Sequence, residues 1–103
     1  MGLGSQSGAY RADFSVSTAT TVEVVAAVAG KRIMVVNAVV SMASGQTVIW
    51  KSAADAISGP LSASYAIADS DLGLMETKKG EALQITTSAA SDAEGHLTYV
   101  LLP

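Results

Sequence analysis

The chain has 103 residues, of which 50% are hydrophobic and 15% charged, with a formal net charge of -3 and no cysteine. That length suits one domain with one modest core. The charge and cysteine counts exclude disulfide staples, thiolate metal sites and cysteine nucleophiles, and six Lys and Arg are too few for a phosphate-neutralising face. A soluble domain carries about 25% charged residues, so this chain is short of charge. Its mean hydropathy of +0.40 is hard to hide inside one small copy. Part of the apolar surface is expected to meet a partner or another copy of the chain. The first ten residues have neither a positive n-region nor an apolar h-region, and no secretory address is expected. The longest apolar run, Ile33 to Ala43, is interrupted by Asn37 and Ser41 and is far shorter than the roughly 20 residues a membrane helix needs. Neither nucleic acid nor membrane is an expected partner.

Taken in chain order, residues 1–13 are rich in Gly and Ser and read as a flexible arm, with residues 14–103 as a single folded domain. Tyr10 and Phe14 are candidates to anchor the arm's end, and Arg11 stands between them. From Phe14 the dominant period is two, the mark of strands. In TVEVVAAVA (21–29), Val22, Val24, Ala26 and Val28 share one parity, and the branched valines favour a strand over a helix. Ala29-Gly30-Lys31 is a turn signal.

Arg32 to Met42 is apolar on both parities. Met34, Val36, Ala38, Val40 and Met42 form one face, and Ile33, Val35, Asn37, Val39 and Ser41 the other. A strand apolar on both faces needs cover on both. We therefore expect Ile33, Val35 and Val39 to face a neighbouring copy unless the arm folds over them. On that reading, Val35→Glu or Val39→Glu dissociates an oligomer without unfolding the monomer.

Thr47–Ser52, Leu61–Ala68, Leu74–Thr77, Ala82–Thr87 and His96–Leu102 are further strands. They are separated by loops at Ala53–Gly59, Asp69–Gly73 and Ser88–Gly95 and by a turn at Lys78-Lys79-Gly80-Glu81. About eight short strands at this spacing, with no amphipathic helix, predict an all-β fold: an antiparallel β-sandwich, jelly-roll-like.

No candidate for chemistry gathers the partners it needs. The lone histidine, His96, lacks a recognisable nucleophile elbow or triad and is read as a partly solvated strand residue. Asp69 and Asp71 space two carboxylates as a calcium loop does, but the twelve-residue loop pattern is absent and turn capping explains them. These carboxylates and Glu76 could serve a glycosidase only within a cleft that this length does not favour. Gly2-Leu3-Gly4 neither follows a strand nor opens a helix. Trp50 could form a sugar-stacking platform with the tyrosines, yet it shares its parity with Val48 and reads as core. No catalytic residue, metal site or cofactor is expected.

The segments AVAGKRI (27–33), TVIWKS (47–52), ISGPLS (57–62), ETKKGEAL (76–83) and GHLTYV (95–100), in this order, resemble small β-sandwich structural proteins of tailed bacteriophages. The nearest image among them is the capsid decoration, or cement, protein. The resemblance covers residues 20–103 and departs from the family between Leu61 and Glu76. It implies a virion protein made in the host cytoplasm that binds the outside of the head. There it would associate with itself, commonly as a trimer, and with the major capsid protein. Outside the resemblance, we expect the arm of residues 1–13, with Tyr10, Arg11 and Phe14, to reach a capsid neighbour. A tail, neck or fibre-associated component and a carbohydrate-binding module are the alternatives.

Overall fold

The computed structural model describes residues 9–17, 20–42, 46–62, 65–68, 75–88 and 93–103, with the backbone alone for 65–68. Among these residues there is no helix. Nine strands form: β1 (Ala9–Val16), β2 (Thr21–Val25), β3 (Arg32–Met42), β4 (Val48–Ser52), β5 (Asp55–Ala56), β6 (Tyr65–Ala68), β7 (Met75–Glu76), β8 (Leu83–Thr87) and β9 (Ala93–Leu102). They make two antiparallel sheets. One has five strands in the order β1-β9-β3-β6, with β7 also on β3, and the other has four in the order β2-β8-β4-β5. The pairings nest. β4 pairs β5 across a tight hairpin, β3 pairs β6 and β7, β2 pairs β8, and β1 pairs β9. One long hairpin wrapped into two sheets is the jelly roll, so the expected fold class is the observed one.

The core lies between the sheets. Ile33, Val35, Val48, Trp50, Leu83, Ile85, Ala93 and Leu97 are each 0% exposed. Phe14 meets Trp50 edge to face, with ring centroids 5.3 Å apart, a favoured aromatic geometry. Fully burying a side chain of this size contributes about 1.5–3 kcal/mol, so these residues carry much of the stability.

The structure corrects the parity reading of β3. The register with β9 shifts between Val35 and Asn37, which makes Val36 the extra residue of a bulge. Ile33 and Val35 point into the core ahead of the bulge, and Ala38 and Val40 point into it beyond, all at 0% or 1% exposure. The expected outward face of Ile33, Val35 and Val39 therefore does not exist. Only Val39, at 38% exposure, is on the outside. A second bulge between Glu23 and Val25 ends the parity of TVEVVAAVA, and Ala26 and Val28 lie beyond β2 in exposed chain.

The arm is also corrected. Residues 9–13 are the first part of β1, in unbroken antiparallel register from Ala9↔Val100 to Val16↔Ala93. Phe14 is 7% exposed within the core and cannot reach a neighbour. Residues 1–8 lie outside the described residues. So do the Asp69–Asp71 loop and the side chain of Tyr65.

The turn glycines behave as their sequence suggests. Lys31 N–H donates to Val28 O at 3.0 Å and Glu81 N–H to Lys78 O at 3.1 Å, and the third residues of these turns, Gly30 and Gly80, have φ of 74° and 80°. That is the type II geometry, which asks for glycine at that position. The β4–β5 hairpin uses Ala53 at φ 50° instead, where a Cβ is disfavoured. Ala53→Gly is therefore expected to stabilise the protein by roughly 0.5–1 kcal/mol, net of glycine's added chain entropy. Thermal unfolding checks this as a Tm rise of a few degrees, and a lowered Tm counts against strain at Ala53.

Candidate interaction surface

Three of the recognisable segments converge at one corner of the sandwich. Thr77 and Ile33 exchange bonds: Thr77 N–H donates to Ile33 O at 2.9 Å, and Ile33 N–H donates to Thr77 Oγ1 at 2.9 Å. Gly80 N–H donates to Lys31 O at 2.8 Å, which ties the KKGE turn to the AGKR turn. Ser52 Oγ accepts from Lys78 N–H at 2.9 Å and donates to Glu81 Oε1. These bonds give AVAGKRI, TVIWKS and ETKKGEAL a shared structural task.

The corner is not built for catalysis. Ser52 is 0% exposed and both its hydroxyl bonds are spent on the turn, so no substrate reaches it. Outside the corner's core, Lys78 Nζ lies 2.8 Å from Asp55 Oδ2. The hydrogen bond and charge of Lys78 hold the Asp55 carboxyl below its ordinary value, and the same contact raises Lys78. Both groups are exposed, so the pair adds little stability. Arg32 pairs with Glu76, which accounts for that carboxylate.

His96 is the fourth residue of β9, a central strand, half-buried on the sheet's outer face between Val39 and Asp13. Asp13 in turn takes the Arg11 guanidinium at 3.1 Å. Ser15 and Ser41 stand one row away on the same face, and no described serine hydrogen-bonds to His96. Nor do any three His, Asp or Glu side chains among the described residues gather as a metal site. Trp50, fully buried, offers no platform to a sugar. Tyr10 and Tyr99 stack at 5.3 Å between centroids, and burial followed by the charge of Tyr10 pushes the Tyr99 phenol up.

The two outer faces differ. The outside of the four-stranded sheet carries Thr21, Thr86 and Ile49 in one row and Glu23, Gln84 and Lys51 in the next, with a Thr21–Thr86 hydroxyl bond at 2.7 Å. This is a solvated face. The outside of the five-stranded sheet is graded. Ser41, Glu94 and Ser15 cross it at one end, and Val39, His96 and Asp13 follow. Towards the other end Met34, Val100 and Ala9 make an apolar row that ends on β7 at Glu76, with Leu102 beside it opposite Arg32. The four apolar residues are half-buried with no second sheet over them among the described residues. Parity alone missed this surface because it lies across three strands. The bulge at Val36 decides which β3 residues join it.

No protein-family model, curated protein or solved structure matches the chain.

Proposed function

We propose that this protein is a structural component of a tailed-phage virion that binds the outside of the capsid as a homo-oligomer and stabilises the shell. The observation that carries the reading is the apolar row Met34–Val100–Ala9, with Leu102 beside it and Val39 exposed further along the same face beyond Asn37, Thr98 and Arg11, on the outside of a sandwich that has already closed its own core. Surface of this kind, rimmed by polar residues, is what protein partners cover. The jelly-roll topology and the order of the recognisable segments support the same reading. The mechanism is mass action: a protein that binds only the assembled shell stabilises it by RT ln(1 + [L]/Kd) at each site.

The decisive experiment counts copies per particle. A head decoration protein is present in numbers comparable to the major capsid protein, whereas a tail or neck part is far scarcer. Comparable numbers, with heads that rupture at lower temperature when the protein is missing, support the proposal. Scarcity at one vertex moves the protein to the neck or tail. Val39→Glu should leave the fold intact while weakening attachment to expanded heads about tenfold. Unchanged occupancy removes Val39 from the contact.

A further inference from the structure

We propose that β1 is the site of self-association, pairing antiparallel with β1 of a second copy across a two-fold axis through Ala12. β9 occupies one side of β1, and no described residue takes a backbone hydrogen bond on the other. The remaining edges are poor templates for pairing. β5 and β7 have two residues each, β6 has four, and β2 is bulged. β1 is eight residues long and unbroken in register, and it contains no proline or lysine. Protected edges are commonly short, bulged, or guarded by such residues.

The sequence of β1 also selects one register. With Ala12 facing Ala12, Arg11 of each copy stands opposite Asp13 of the other, and Tyr10 opposite Phe14. Centred on Asp13 or on Arg11 instead, the pairing sets like charges against each other, which is destabilising. Tyr10, 48% exposed in the single copy, gains cover from the second. The contact is isologous and closes on itself, joining two five-stranded sheets into one. It gives an even-numbered assembly, in place of the trimer that the resemblance implies. The inference concerns the free protein and does not rest on the capsid reading.

The test begins with the native mass of the unaltered protein by light scattering on a sizing column. Twice the 10.4 kDa chain mass is expected, and a monomer or a trimer overturns the proposal. The register is then read by cross-linking. The chain has no cysteine, so Ala12→Cys introduces a single thiol. Facing residues in an antiparallel pair have Cα atoms about 4.5–5.5 Å apart, within disulfide reach. Mild oxidation should convert Ala12→Cys largely to a linked dimer, and should leave Ser41→Cys, exposed on β3, mostly unlinked. Equal linking of the two variants overturns the register. Arg11→Asp should weaken the dimer about tenfold, because two charge pairs become repulsive, and adding Asp13→Arg should restore it. A double variant no tighter than the single one rules out the Arg11–Asp13 pairing.

Discussion

Gly95→Ala should destabilise the fold severely. A Cβ built on Gly95 lies 1.9 Å from the backbone oxygen of Val39 and 2.9 Å from its carbonyl carbon. Gly95 sits where β9 faces Val40 of β3 on one side and Phe14 of β1 on the other. Overpacking a core with side-chain atoms costs about 1–3 kcal/mol, because neighbouring rotamers adjust. Here the obstacle is main chain inside a paired ladder, so the two central strands of the larger sheet must move apart. We expect a loss at the top of that range or beyond, against a total stability of about 5–15 kcal/mol. Urea unfolding followed by tryptophan fluorescence reads this directly, since Trp50 packs on Phe14 in the same core. A variant with a native midpoint shows that β3 and β9 are further apart at Gly95 than described.

Val35→Glu should also unfold the monomer, whereas Val39→Glu should not. Four positions apart on one strand, the two valines differ in exposure from 0% to 38%. Burying an unpaired carboxylate costs several kcal/mol even when it takes up a proton, and Val35 has only apolar neighbours across the sheet in Met75 and the body of Tyr99. At Val39 the new carboxylate remains in water beside His96, and a change within about 0.5 kcal/mol is expected. Circular dichroism melts of the pair check this. Two folded variants, differing only in association, would restore the outward face that simple alternation gives to β3.

That contrast shows where the sequence was legible. Alternation placed β3, β4, β8 and most of β9 because Val48/Trp50/Ser52 and Leu83/Ile85/Thr87 each keep one parity through a whole strand. It failed inside β3 because one extra residue, Val36, reverses the faces, and nothing in RIMVVNAVVSM marks that position. It failed at β1 for another reason. Ala12, Phe14 and Val16 do alternate with Arg11, Asp13 and Ser15, but the Gly- and Ser-rich stretch before them drew the arm too far. The two-residue β5 carries no period to detect and falls in the expected loop Ala53–Gly59, whereas β7 lies within the expected strand Leu74–Thr77. Of the candidate residues, Tyr10, Arg11 and Val39 lie at the surface. Phe14, Ile33 and Val35 belong to the core, and their apolar character alone could not tell these places apart.

The nesting of the strands has a consequence for how the protein is made. β9, which holds β1 on one side and β3 on the other, is built from residues 93–102. During synthesis β1 and β3 leave the ribosome some 80 and 50 residues ahead of the strand that joins them, and distant pairings of this kind form slowly. A nascent chain stopped before Ala93 holds two long strands with no common partner. The five-stranded sheet therefore closes only once β9 is free to pair, and the interval before it closes is when the apolar strands most need shielding from one another.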